Sequence, residues 1–146
     1  MTIETAKKIV DFVLENPFES YEDSVSWDFI GGEPLLEMEL IDKIADYILA
    51  KSYVLSHPWF YSHMFMFSTN GTLYGKPLVR KFIKKHFGHC WFAVSVDGTK
   101  EKHNRARKYV DGTGSYDDVV KNVHSGLKSF HMHPLKLHSQ VTICHI

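Results

Sequence analysis

Three short polar clusters interrupt the apolar runs of this sequence: Gly31-Gly32-Glu33-Pro34, Ser68-Thr69-Asn70-Gly71 and Ser95-Val96-Asp97-Gly98. In the first, two glycines stand where an apolar run meets a helical pattern. They admit unusual backbone angles and the close approach of a neighbour. Ser95 and Asp97 are two apart in an extended run, so both side chains project to one face. These residue types suit the holding of a polar ligand better than nucleophilic attack. Ser68 and Ser95 have no GxSxG setting and no histidine placed by sequence, so a hydrolase triad is unsupported and no catalytic residue is assigned. Gly112 and Gly114 of "DGTGS" precede a helical pattern and form a weak candidate anion cradle at its start.

Ten histidines raise the question of metal binding, notably His86 and His89 beside Cys90, and His131 with His133. No second cysteine or acid stands at ligand spacing there. A tetrahedral site would need partners that the sequence does not show, so these read as ordinary surface histidines and no metal ligand is assigned. The two cysteines, Cys90 and Cys144, make neither a disulfide framework nor a cluster-binding set.

The elements that must position these residues follow from periodicity. Ile3, Ala6, Val10, Val13 and Leu14 share one face of a helix from Thr2 to Asn16, stopped by Pro17. "SVSWDFI" alternates as a strand. From Pro34, a good first helical residue, Leu36, Leu40, Ile41, Ile44 and Ile48 repeat at helical spacing. "WFYSHMFMFSTNG" predicts a strand, Pro77 to Phe87 a basic helix capped near Gly88, and "CWFAVSVDG" a third strand. After a polar connection, Ser115 and Asp118 resemble a capping box, and Tyr116, Val119, Val120, Val123, Leu127 and Phe130 line a helix. "LKLHSQVTI" predicts the fourth strand. The alternation predicts an α/β fold with a parallel sheet, open or part of a barrel, whose strand C-termini share one rim. Ligands collect at that rim in such folds, and all three polar clusters fall there. No linker or repeat divides residues 1–146, which predicts one domain.

Composition narrows the function. The chain has 146 residues, 44% of them hydrophobic, enough to bury a core. Seventeen basic residues balance seventeen acidic ones, so no whole-chain field attracts nucleic acid or an anionic membrane. The basic face of Arg80, Lys81, Lys84 and Lys85 reads as solvated surface. No apolar run approaches the roughly 20 residues of a membrane span and the N-terminus is unlike a signal peptide, which predicts a cytoplasmic protein.

"FIGGEPLL", "STNGTL" and "VSVDGTKEKHNRARKYVDGTGSYDDVVKNV", in this order and at these intervals, resemble the core of radical S-adenosylmethionine enzymes. The likeness is to the peptide- and protein-modifying branch with SPASM-type extensions, the anaerobic sulfatase maturases among them. It covers about Val25 to Val123 and implies a partial (β/α) barrel of which this chain supplies about four parallel strands. It implies S-adenosyl-L-methionine as cofactor, with Gly31, Gly32, Glu33 and Pro34 along its methionine end. Glu33 and backbone carbonyls would accept from the ammonium there. It implies contacts from Ser95 to the methionine carboxylate or ribose, an ordering role for Asp97, and ligand or loop contacts from Asn70. Arg107 falls at the arginine of the family's HDxxR pattern, here "HNRAR", with Arg105 as a neighbouring candidate. Asp97 and Asn70 read equally well as turn residues bonded to nearby backbone.

In that family three cysteines spaced CxxxCxxC hold a [4Fe–4S] cluster, and this sequence has no such spacing. The resemblance therefore implies a truncated central portion of a maturase that acts on a ribosomally made peptide or protein through a 5′-deoxyadenosyl radical. Alone, the chain would be inactive. A catalytically silent α/β module that binds a peptide or partner chain is the alternative, because an open parallel sheet leaves edges and one face that self-association or a partner must cover.

Overall fold

The computed structural model describes residues 1–16, 23–130 and 141–145. The elements run α1 (Ile3–Glu15), β1 (Val25–Phe29), α2 (Met38–Val54), β2 (His63–Thr69), α3 (Pro77–Lys85), β3 (Cys90–Val96), α4 (Lys100–Ala106), α5 (Tyr116–Phe130) and β4 (Val141–His145). The four strands form one parallel sheet in the order β1-β2-β3-β4. This is the α/β architecture that the alternating pattern predicts. Most of the fourth predicted strand, and Leu127 and Phe130 as core residues, fall outside the described residues or side chains.

Register explains why one face of the sheet is apolar. Trp27 pairs with Phe65 and Phe65 with Cys90, while Phe29 pairs with Phe67 and Phe67 with Phe92. Paired residues of parallel strands share a face, so these aromatics form continuous rows. The Phe67 and Phe92 rings stack at 4.5 Å, and Phe82 of α3 meets Phe67 edge-on at 5.5 Å. Ala6, Val10 and Leu14 of α1 join this core, as do Ile41, Ile44 and Ile48 of α2 and Val79, Phe82 and Ile83 of α3. Val119 and Val123 of α5 cover Val94 and Val96 in a second cluster.

Among the described residues, no helix covers the opposite face. Met64, Met66, Trp91, Ala93 and Ser95 point there and remain half-exposed, with Ser26, Asp28 and Ser68 exposed beside them. The sequential strand order with same-handed crossovers keeps the helices on one side.

Several sequence expectations are corrected. Leu36 is 71% exposed, and Leu35 is buried instead. Residues Pro34–Glu37 wind as a 3₁₀ turn before α2 begins. Three residues per turn in place of 3.6 rotates Leu35 inward and Leu36 out. The polar connection after Asp97 contains α4, which buries only His103 and so shows no apolar period. Thr99 caps it by accepting from Lys102 N–H at 3.3 Å. His86, His63 and His57 are buried rather than surface histidines, and His89 stacks on His63 at 4.3 Å. Pro77 opens α3 as predicted, but the helix ends at Lys85 with His86 as its cap, two residues short of the predicted Phe87, and Gly88 with a φ of +83° turns the chain beyond it.

Phe67, 1% exposed and touching Phe29, Phe82 and Phe92, is the centre of the aromatic rows. Phe67→Ala is expected to cost about 3–5 kcal/mol in urea unfolding followed by circular dichroism. A loss under about 1 kcal/mol would contradict a rigid aromatic core at this position.

Candidate functional site

The rim at the strand C-termini is assembled around the Glu33 carboxylate. β1 ends at Phe29, and the chain turns through Ile30, Gly31 and Gly32 to Glu33, the cap of the 3₁₀ turn. Glu33 Oε1 accepts from Leu35 N–H at 3.1 Å and from the Thr69 hydroxyl at 2.6 Å, and Oε2 accepts from Asn70 N–H at 2.8 Å. One carboxylate thus fastens the first turn to the end of β2. Pro34 fits as the first helical residue because it has no N–H to satisfy.

The glycines beside it face outward. A Cβ on Gly31 or Gly32 would have no protein atom within 4 Å, and Gly31 holds a φ of +140°. They edge a groove of about 340 Å³ lined by Asp28, Phe29, Glu33, Pro34 and Leu40 among others. The positive φ of Gly31 itself favours glycine, and among the described residues no protein atom fills the space beside either glycine.

The second turn is different. Asn70 Oδ1 accepts from Thr72 N–H at 2.9 Å and from its hydroxyl at 2.7 Å, an Asx turn. Its amide oxygen is thus occupied by the loop. Gly71, φ +78°, is a true steric requirement: a Cβ would sit 2.7 Å from Val94 Cγ1 and 3.1 Å from Val119 Cγ1. Asn122 of α5 donates to the Gly71 and Thr72 carbonyls at 3.2 and 2.7 Å, fixing the turn from outside.

At the end of β3, Asp97 receives a two-pronged contact from Arg107: Nε to Oδ2 at 2.7 Å and Nη2 to Oδ1 at 3.1 Å. That hydrogen bonding holds the Asp97 carboxyl below its ordinary pKa. Behind the pair, His103 is fully buried. Its Nδ1 accepts from Asp97 N–H at 3.4 Å, which leaves Nε2–H to donate to Ser115 Oγ at 3.0 Å, and Ser115 donates on to the Arg107 carbonyl at 3.1 Å. Burial lowers the His103 pKa, so the ring stays neutral in this relay.

The predicted Ser115 cap is therefore corrected. Its hydroxyl turns inward, and Asn104 Oδ1 accepts from Tyr116 N–H at 3.0 Å in its place. At the candidate cradle, the protein itself fills the space beside Gly114, where a Cβ would meet the Asn104 amide at 2.1 Å, while the space beside Gly112 is open. Arg105 is exposed, and Arg107 is the arginine that reaches the rim. Ser95, half-exposed on the open face, lies in register with Cys144 and two residues from Asp97.

The rim thus gathers the three strand-end clusters, with Gly31, Gly32 and Ser95 on its open side and Glu33, Asn70, Asp97 and Arg107 in its internal bonds. Sequence reasoning placed Ser115 only as a cap, gave His103 no role although it opens the "HNRAR" stretch one helical turn before Arg107, and missed Asn104 and Asn122. Cys90 lies buried on the helix side of β3, its thiol pushed up to about 12 by burial. No helix among the described residues is long and apolar enough to cross a membrane.

No protein-family model matches the chain. An uncharacterized protein of Methanocaldococcus jannaschii is 29% identical over 135 residues, covering 90% of this chain and 41% of that protein. A cysteine-type anaerobic sulfatase-maturating enzyme of Clostridium novyi is 27% identical over 120 residues, covering 79% of this chain and 29% of the enzyme. Among solved structures, native anSMEcpe with bound AdoMet aligns with a TM-score of 0.70 at 24% identity, over 96% of this chain and 33% of that one. A tagged form of anSMEcpe with bound AdoMet gives 0.68 at 27% identity, over 86% and 31%. The chain spans less than half the length of these relatives. It resembles anaerobic sulfatase-maturating enzymes of the radical S-adenosylmethionine superfamily in sequence and fold, as the three motifs imply.

The two kinds of glycine separate experimentally. Gly71→Ala is expected to destabilise by about 2–4 kcal/mol through overpacking and backbone strain, and Gly32→Ala to stay within about 0.5 kcal/mol. Chemical unfolding of both variants measures the difference. A second expectation concerns pH. The unfolded His103 takes up a proton near its ordinary value of 6.5 and the folded ring resists it. Stability is therefore full above about pH 6.5 and falls as the pH drops below it. His57, His63 and His86 are shifted the same way by burial and add to the slope. The melting temperature should fall between pH 7.5 and 5.5, and less steeply in His103→Leu; an equal slope would remove His103 from this account.

Proposed function

We propose that the chain is the central barrel portion of a radical S-adenosylmethionine maturase that modifies a ribosomally made peptide or protein, and that it supplies the non-cysteine part of the cofactor site. The observation that carries this reading is the outward, unfilled edge at Gly31 and Gly32, at the rim where three motifs of that family converge. Its support from comparison is that anSMEcpe was solved with bound AdoMet, and in two cases with a peptide as well.

In this reading the backbone of Gly31 and Gly32 lies along the methionine portion of S-adenosylmethionine, with Pro34 shaping the turn. Their carbonyls accept from its ammonium, and Ser95 contacts its carboxylate or ribose from the open face. Glu33, with Oε2 holding a single internal donor, both pins the turn and adds negative charge beside that ammonium. Asn70, Asp97 and Arg107 order the rim: their side chains are engaged with Thr72 and with one another.

A [4Fe–4S] cluster does not fit the residues of this chain. Cys90 is buried with a raised pKa, and one further cysteine cannot complete three thiolate ligands. The cluster ligands of the working enzyme would come from residues beyond these 146. When bound, S-adenosylmethionine supplies the 5′-deoxyadenosyl radical; these residues bind and orient it. The open face bearing Met64, Met66 and Trp91 favours a second reading, an inactive module that binds a partner chain.

Calorimetric titration of the chain with S-adenosylmethionine tests the first reading. Saturable binding is expected, reduced at least tenfold by Gly32→Leu, whose side chain enters space the protein leaves open, and weakened by Ser95→Ala. No saturable binding, or equal binding in Gly32→Leu, would overturn it.

A further inference from the structure

The ion-pair cluster joining α2 to α3 contains an imidazole that nothing in it uses. Asp42 and Asp46 stand one turn apart on α2, so both carboxylates reach the same side. Between them sits the Lys85 ammonium, 2.7 Å from Asp42 Oδ1 and 2.6 Å from Asp46 Oδ1. His86, the next residue, is 5% exposed; its Nε2 is buried, has no hydrogen-bond partner and lies 3.9 Å from Asp42 Oδ1. One ligand atom from each of Asp42, Asp46 and His86 falls within 4.8 Å of the others. A buried polar nitrogen aimed at two carboxylates without a partner costs free energy that a bound ion would recover.

We propose that Asp42, Asp46 and His86 form a binding site for a divalent transition-metal ion of the zinc class, which displaces the Lys85 ammonium from between the carboxylates. One imidazole nitrogen and two carboxylates suit a borderline ion; calcium and magnesium take oxygen ligands. Three protein ligands leave the fourth tetrahedral position to water. Lys85 already marks the place as one where the fold stabilises positive charge. Its side chain is 34% exposed on a flexible stem, so it can swing into solvent without opening the core. Asp46, 58% exposed, has the freedom to close on an ion at the usual bond length of about 2.0–2.2 Å. The ion would cross-link the two helices, and none of its ligands belongs to the rim. The site therefore stands apart from the cofactor reading.

Cobalt(II) is the probe, titrated into the tag-free chain with zinc as competitor and visible absorption as the readout. The expected result is a saturable one-to-one spectrum, erased by zinc. Affinity should fall at least tenfold in Asp46→Asn, whose exposed side chain leaves folding intact, and in His86→Gln, and should rise in Lys85→Met. No saturating spectrum, or equal affinity in the wild type, Asp46→Asn and His86→Gln, would overturn the proposal.

Discussion

The rim depends on a single carboxylate placed between two strands. Glu33 takes one donor from its own turn and two from residues 36 and 37 positions further along the sequence, and in doing so decides where the first turn sits relative to the end of β2. Each of these bonds is charge-assisted, worth about 1.5–3 kcal/mol when shielded from water. The turn is consequently rigid at Glu33 and free at the two glycines before it.

A second fixed point lies across the sheet. Asp97 and Arg107 neutralise one another, and the His103–Ser115 relay anchors both to the start of α5. The relay works only with a neutral imidazole, because Nδ1 must accept the Asp97 N–H. Burial supplies that state. Most strongly polar groups of the rim are thereby spent on internal structure. The backbone of Gly31 and Gly32 and the half-exposed Ser95 remain outside these internal bonds.

The layering follows from the same economy of contacts. Aromatic rows on one face of the sheet are covered by helices, whereas methionines, Trp91 and small polar residues form the other face, which no helix among the described residues covers. A parallel sheet exposing such a face is normal for an incomplete barrel, where the missing strands turn that face into an interior. The aligned region makes up 41%, 29% and 33% of the relatives described above.

The sequence by itself determined the parallel α/β alternation, the strand-end position of the three polar clusters and the family they resemble. Those properties reside in periods of 2 and 3.6 residues and in local turn chemistry. Where a neighbour rather than a period decides, the sequence misled. Leu36 lost its inward place to a tighter winding set by the Glu33 cap, and α4 was invisible because it buries a histidine in place of an apolar stripe. Ser115 gave up the cap to Asn104 because His103 competed for its hydroxyl. His86 looked like a surface residue with no acid in reach, since Asp42 and Asp46 lie some forty residues earlier on another helix. Only helix packing brings them together. Burial, tautomer and ligand grouping are properties of distances in space, and those were for the tertiary structure alone to decide.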